Sequence, residues 1–175
     1  MKKFTFTSVM LLALVFSGCG ASDGKSSSKN SAVAKEDVCS LLTIAEVSKL
    51  VGEKVHDGER DTKHIYPNTS VCTWTSVSKD IPLLLLTYNL HASSHELDYY
   101  APPLDMGYTI KKLNGSINGS IAVLTSKKSL FEVIVRSDDN AVLLTAPYME
   151  EKEGSKPWNS EIQLAELAAE RAKGK

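Results

Sequence analysis

The sequence predicts an α+β fold in which an antiparallel sheet of about five to seven strands carries an N-terminal and a C-terminal amphipathic helix packed on it. Two observations favour this fold. Short apolar segments in the second half of the chain alternate with turn sequences, which is typical of strands that follow one another in an antiparallel meander. A segment with the pattern of a capped amphipathic helix lies on either side of these strands.

The first helix is predicted from a capping box at Thr43 and Glu46. The threonine hydroxyl accepts from the backbone N–H of Glu46, and the Glu46 carboxylate accepts in turn from the N–H of Thr43. Gly52 supplies the left-handed residue that ends a helix. The apolar face of the segment contains Ile44, Val47 and Val51. We therefore expect a short helix of about two to three turns.

The strands are predicted from apolar runs that are bounded by turn residues. They occupy residues 54–56, 71–76, 83–90, 109–113, 121–125, 130–135 and 141–146. The run at 83–90 is apolar on both faces, which is typical of the middle of a sheet. Glu132 alternates with apolar neighbours, so part of one face is expected to contact solvent. The charged runs 57–63 and 150–156 are predicted to be loops.

The last helix is predicted to follow Pro157, because Ser160 and Gln163 repeat the capping-box pattern. Its apolar stripe contains Ile162, Leu164, Ala165, Leu167, Ala168 and Ala169. Its water-facing positions are Gln163, Glu166, Glu170 and Lys173. Trp74 and Trp158 are expected to pack in the core or against a helix rather than to form a carbohydrate platform.

Residues 1–18 predict an export signal peptide. A lysine pair precedes an apolar core at 9–16, which is too short to span a bilayer. The sequence VFSGC at 15–19 resembles the lipobox of bacterial lipoproteins. That resemblance implies cleavage before Cys19, which would carry a thioether-linked diacylglycerol and an N-acyl chain, enough for stable anchoring. The alternative is an ordinary secretory signal that is cut nearby.

The resemblance also implies a location and a partner, namely the membrane reached through the lipid on Cys19. Gly20 stands where an aspartate would be the usual inner-membrane retention signal, so in a Gram-negative host we expect the outer membrane, facing the periplasm. Residues 19–35 are polar and predict a flexible tether with a reach on the order of 20 Å. Residues 36–175 have the size of a single globular domain.

The lipobox resemblance implies which of the three cysteines can pair. Lipidation of Cys19 leaves Cys39 and Cys72 in an oxidising compartment, where disulfides form and persist. Their pairing would close a loop of about 34 residues and stabilise the fold by about 3 to 4 kcal/mol. A two-cysteine metal site is the alternative, but no CxxC or Cys/His cluster nearby supports it.

The charge balance excludes one class of partner. The chain has 20 basic and 21 acidic residues, which gives a formal net charge of −1. Removal of the signal peptide with Lys2 and Lys3 leaves 18 basic against 21 acidic residues, a formal charge of −3. Such a chain has no electrostatic reason to bind nucleic acid. A content of 42% hydrophobic and 23% charged residues is that of an ordinary globular protein.

His91, His95 and Asp98 are the candidates for a metal site. Their spacing of i, i+4 and i+7 would place two imidazoles and a carboxylate on one face of a helix, where they could hold a divalent transition metal. The alternative is a polar surface loop that contains two histidines. The sequence has no motif of a serine or cysteine nucleophile, so no catalytic residue and no cofactor is assigned.

The segment from His91 to Tyr108 is the predicted binding surface. It is a longer loop that contains Tyr99, Tyr100 and Met106, and tyrosines on loops are common at interfaces. Either the rings of Tyr99, Tyr100 and Tyr108 bind a ligand or partner, or they pack on the edge of the sheet.

The opening of the domain resembles that of a group of small lipoproteins of unknown function, known best from actinobacteria. Their exported domains open with Cys-x-Leu-Leu-Thr-x-x-Glu-Val, place a second cysteine in a Cys-x-Trp strand, and end in an alanine-rich helix. The matching residues are Cys39, Leu41, Leu42, Thr43, Glu46, Val47, Gly52, Cys72 and Trp74. The resemblance implies an antiparallel α+β sandwich, similar to the PsbP/Mog1 group, and carries over no catalytic residue.

These observations give two functional hypotheses. The first is a non-enzymatic binding or accessory module of the cell envelope, which presents a surface to an envelope protein or a small ligand. The second is a metal-binding or metal-dependent hydrolytic lipoprotein that uses His91, His95 and Asp98.

Overall fold

The computed structural model describes residues 38–63, 67–114 and 119–173. The predicted signal peptide, the lipidation of Cys19 and the tether at 19–35 lie outside these residues. Within them, eight strands form one antiparallel sheet. The strands are β1 Glu59–Arg60, β2 Thr69–Thr75, β3 Pro82–Asn89, β4 Thr109–Lys112, β5 Ser120–Leu124, β6 Ser129–Ser137, β7 Asn140–Thr145 and β8 Glu151–Lys152. The predicted antiparallel sheet is confirmed.

The sheet joins two meanders. Its strand order is β1-β2-β3-β7-β6-β5-β4, and β8 pairs with the start of β6. Residues 90–108 connect β3 to β4, which forms the far edge of the sheet. From there each of β5, β6 and β7 pairs with the strand before it, and β7 pairs with β3. The apolar strand β3 therefore lies inside the sheet, as its sequence predicts, and its Leu84 and Leu86 are fully buried.

The two shortest strands lie in segments that the sequence predicts to be loops. In the run 57–63, Glu59 and Arg60 pair with Thr73 and Cys72 of β2. In the run 150–156, β8 pairs with β6. The predicted strand at 54–56 is reduced to a single bridge between Val55 and Ser76. Strands of two residues are too short for an alternation of period two to appear in the sequence.

Gly58 lies against two core side chains of β2. A Cβ atom at this position would be 2.7 Å from Cys72 Sγ and 2.8 Å from Trp74 Cε2, and both of these side chains are buried. These distances are shorter than van der Waals contact. The backbone therefore approaches the core at this point in a way that only glycine permits.

We expect Gly58→Ala to lower the free energy of unfolding by about 1 to 3 kcal/mol, because the added methyl group must displace buried neighbours. Chemical denaturation measures the difference. Asp57→Ala is the matched control, since Asp57 is exposed and its loss should change the midpoint little. Equal midpoints for wild type and Gly58→Ala would contradict the close approach.

The first helix, α1, spans Ile44–Val51 and has the predicted capping box. The N–H of Thr43 donates to Glu46 Oε2 at 2.8 Å, and the N–H of Glu46 donates to Thr43 Oγ1 at 3.3 Å. Gly52 ends the helix at φ 75°. The apolar face packs only in part, because Val47 is buried whereas Ile44 is 43% exposed.

The last helix, α2, spans Lys156–Ala172 and begins before the predicted start at Ser160. Ser155 is the N-cap, and its hydroxyl accepts from the N–H of Trp158 at 3.3 Å. Pro157 is tolerated in the first turn, where its missing N–H has no partner to lose. Ser160 Oγ donates instead to the Lys156 carbonyl at 3.0 Å. The predicted C-terminal helix is confirmed, and its capping residue is corrected.

The earlier start changes which side chains α2 buries. Its buried residues are Trp158, Glu161, Leu164, Ala165, Ala168, Ala169 and Ala172. Leu167, which the sequence places in the apolar stripe, is 36% exposed, and Ile162 is half-buried. Trp74 and Trp158 are core residues, as predicted.

Other segments pack on each face of the sheet. The 3-10 turn Val38–Leu41 and the helices α1 and α2 share one core with one face. Residues 91–108, here called the strap, cover the part of the second face formed by β5, β6 and β7, whereas residues of β2 and β3 on that face, such as Thr73 and Leu85, are half-buried. Ala92 and Leu97 of the strap share a smaller core with strands β5, β6 and β7. No helix in the described ranges is long and apolar enough to cross a membrane.

Candidate functional site

Hydrogen bonds join the backbone of the strap to residues of β6, of β7 and of the turn between them. The two terminal nitrogens of the Arg136 guanidinium donate to the carbonyls of Ala92 and His95, at 2.7 and 2.9 Å. The N–H of Ser93 donates to the carbonyl of Asp139 at 3.0 Å. The N–H of His91, a residue in the left-handed region at φ 58°, donates to Asn140 Oδ1 at 3.1 Å. The first turn of the strap is therefore held in one position by side chains and backbone of the sheet.

The three predicted binding tyrosines have different surroundings. Tyr100 and Tyr108 are half-buried and pack against the second core, where the Tyr108 ring lies 4.9 Å from that of Phe131. Burial raises the pKa of the Tyr100 phenol. Tyr99 is 66% exposed and stacks on the ring of His95 at 3.9 Å. Of the three, Tyr99 is the one whose ring is open to a partner.

Two further apolar side chains lie exposed on the strap. Leu104 is 58% exposed and Met106 is 70% exposed, and both belong to a 3-10 turn that ends at Gly107. Burial of these side chains against a partner would remove apolar surface from water, which is the main favourable term in association. We call Tyr99, Leu104 and Met106 the strap surface.

The helical face predicted for His91, His95 and Asp98 does not form. The strap contains separate 3-10 turns at Ala92–Ser94 and Leu97–Tyr100, and His95 between them is extended, at φ −131° and ψ 152°. No group of three or more His, Cys, Asp or Glu side chains in the described part of the chain is arranged to hold a metal ion. Because His91 is left-handed and His95 is extended, both residues lie outside the 3-10 turns, and the three side chains do not share a helical face.

Cys39 and Cys72 form a disulfide, with their sulfur atoms 2.03 Å apart. The bond joins the 3-10 turn Val38–Leu41 to β2, and Cys72 is fully buried. These cysteines are therefore structural, and the alternative of a two-cysteine metal site is excluded.

The sequence does not predict that two carboxyl groups are buried. Glu132 is only 7% exposed, although its strand position predicts contact with solvent. Its cross-strand partner Val123 belongs to the second core, which the strap covers. Thr145 Oγ1 donates to Glu132 Oε1 at 2.8 Å. Burial raises the pKa of Glu132 to about 7, and the Thr145 hydrogen bond opposes this shift.

Glu161 of α2 is the second buried carboxyl group. It is 1% exposed, and neither of its oxygens has a hydrogen-bond partner among the described residues. Burial, together with the nearby carboxyl groups of Glu151 and Glu132, raises its pKa to about 8. Its spacing from Trp158, Ala165 and Ala168 is the sequence signal for its burial, once the helix is known to begin at Lys156.

Comparison of the chain with protein-family models, with curated proteins and with solved structures found no match. The resemblance to the actinobacterial-type lipoproteins therefore stays a prediction from the opening motif.

Proposed function

We propose that this protein is a lipid-anchored binding module of the cell envelope, without catalytic activity, which uses the strap surface to bind an envelope protein. The observation that carries the proposal is that the strap is fixed at its start while Tyr99, Leu104 and Met106 are exposed. A surface that is ordered before binding loses less conformational entropy when it associates.

The composition of the strap indicates the chemistry of the partner. The strap carries the acidic residues Glu96, Asp98 and Asp105 and contains no lysine or arginine. Aromatic residues and methionine are enriched in interface cores, and the surrounding charges set specificity and association rate. The expected partner therefore offers an apolar patch with lysine or arginine at its rim.

The membrane location in this proposal is supported by the lipobox resemblance at residues 15–19. In a Gram-negative host, the lipid on Cys19 would hold the domain at the outer membrane, on the periplasmic side. Fractionation of the producing cells tests the anchor: we expect Cys19→Ser to move the full chain from the membrane to the soluble fraction. Equal sedimentation of the two proteins would contradict lipidation of this residue.

The strap surface is tested by capture from native membranes. We expect the tagged full chain, after chemical crosslinking, to recover a defined envelope protein, and Tyr99→Ala/Met106→Ala to reduce that recovery at least tenfold. The matched control is Val77→Ala/Tyr148→Ala, since these side chains are 51% and 62% exposed but lie outside the strap. Equal recovery by the two double variants, or a clean sample without a partner, would contradict the proposal.

A further inference from the structure

A groove lies between α1 and α2, on the face of the sheet opposite the strap. It has a volume of about 400 Å³, which falls at the small end of the range for ligand sites. Its apolar lining includes Leu50 and Leu164, and Leu167 is 36% exposed at its rim. Leu167 therefore offers apolar surface to a ligand in the groove.

The charges at the groove are unbalanced. Glu46 is neutralised by Arg171, whose terminal nitrogens donate to its two oxygens at 2.8 and 2.7 Å. Lys49 and Lys156 also line the groove, and both are exposed. Within the described ranges, no carboxylate lies within ion-pair distance of either ammonium group. Two positive charges therefore stand beside an apolar surface in a chain whose formal net charge is −1.

The groove lies near the first described residues of the chain. The described part begins at Val38, and the 3-10 turn Val38–Leu41 is separated from α1 only by Leu42 and Thr43. Arg171 of α2 also donates to the carbonyl of Leu41 at 2.9 Å. The described chain therefore begins in a turn that Arg171 joins to α2, one of the two helices that form the groove.

We propose that this groove binds an anionic phospholipid of the membrane to which the chain is anchored. An acyl chain would lie on Leu50, Leu164 and Leu167, and the phosphate would lie between Lys49 and Lys156. An apolar stripe flanked by lysines is the pattern with which amphipathic helices bind anionic lipid surfaces. The inference rests on the membrane location in the proposed function, but it concerns a different face from the strap.

The test uses a soluble probe with the same chemistry. Dodecyl phosphate, below its micelle concentration, is titrated into the full chain by isothermal calorimetry. We expect Lys49→Gln/Lys156→Gln to weaken binding about 25-fold, because each lysine near an anionic lipid contributes about fivefold in affinity. We also expect Leu167→Ser to weaken binding of the probe. These exposed positions are not part of the core, so the melting temperature should not change.

The matched control removes the same charge from the turn between β5 and β6. Lys127→Gln/Lys128→Gln should bind dodecyl phosphate as wild type does, since these lysines are exposed and outside the groove. The same four proteins, each also carrying Cys19→Ser so that no lipid anchor holds them on the membrane, are then sedimented with vesicles of phosphatidylglycerol. The groove variants should sediment less than the control.

Three results would overturn the inference: no binding of dodecyl phosphate, equal weakening by the two lysine pairs, or a groove effect on the soluble probe without one on vesicles. These readouts are independent of partner capture by the strap. If wild type captures no partner but binds dodecyl phosphate through the groove, the proposed function alone is rejected. If wild type captures a partner through the strap but does not bind dodecyl phosphate, the groove inference alone is rejected.

Discussion

Removal of the Cys39–Cys72 disulfide should lower the free energy of unfolding by about 3 to 4 kcal/mol. The bond spans 33 residues of sequence, so its loss frees a long loop in the unfolded chain. It also attaches the turn before α1 to a buried position of β2. For a protein of this size, such a loss corresponds to a decrease of about 10 °C in the melting temperature.

The measurement compares wild type with Cys39→Ala/Cys72→Ala, with and without reductant. Alanine avoids the burial of an unpaired hydroxyl group at position 72. We expect reductant to lower the melting temperature of wild type to that of the double variant and to leave the variant unchanged. Cys19→Ser is the control, since it should respond to reductant as wild type does. A wild-type melting temperature that does not depend on reductant would contradict a stabilising disulfide.

Glu161→Gln should stabilise the protein at neutral pH. The pKa of Glu161 is about 8 in the folded protein, whereas its ordinary value is 4.5. The folded state therefore binds a proton that the unfolded state releases. Stability is unaffected below pH 4.5, and it falls as the pH rises from 4.5 through 8. The penalty is about 3 kcal/mol at pH 7.

Two other carboxyl groups shape the same pH profile. Glu132, with a pKa of about 7, adds a further decrease in stability between pH 4.5 and 7. Glu46 acts in the opposite direction, because the Arg171 hydrogen bonds lower its pKa to about 2. Its stabilising contribution to the free energy of unfolding is present above pH 4.5 and is lost as the pH falls through 2. We therefore expect the combined contribution of these three groups to stability to be greatest near pH 4.

Urea denaturation between pH 4.5 and 8 measures this profile. Glu161→Gln should flatten the profile and exceed wild type most at pH 8, while the two proteins should be similar at pH 4.5. Glu166→Gln, a half-buried position on the same helix, is the control for loss of a carboxylate and should keep the wild-type slope. Parallel profiles for Glu161→Gln and wild type would show that Glu161 is ionised in the folded protein.

The long strands and the disulfide could be predicted because their signals are local or follow from the count of cysteines. The apolar run of β3 and the alternation of β2 are visible in the sequence. The predicted start of α2 was wrong because Ser160 and Gln163 have the spacing of a capping box. The actual N-cap, Ser155, is not followed by a Glu or Gln at the third helical position. The two-residue strands depend on pairing partners that are distant in sequence.

The candidate site could be predicted only as a segment. The local sequence does not distinguish Tyr99 from Tyr100. Their exposure differs because the path of the strap across the sheet leaves Tyr99 exposed and packs Tyr100 against the second core. Arg136, which anchors the strap, lies 44 positions after Ala92 and 41 positions after His95 in the sequence. The burial of Glu132 also depends on tertiary packing, which the alternation of polar and apolar residues along its strand does not reveal.

Site-specific photocrosslinking in the producing cells tests the central claim most directly. A photoreactive phenylalanine analogue is placed singly at Tyr99, Leu104 or Met106, and at Val77 or Tyr148 as exposed controls. The proposed binding module predicts one adduct of the same mass from the strap positions and none from the controls. Adducts from the control positions alone, or no adduct from any strap position, would contradict it.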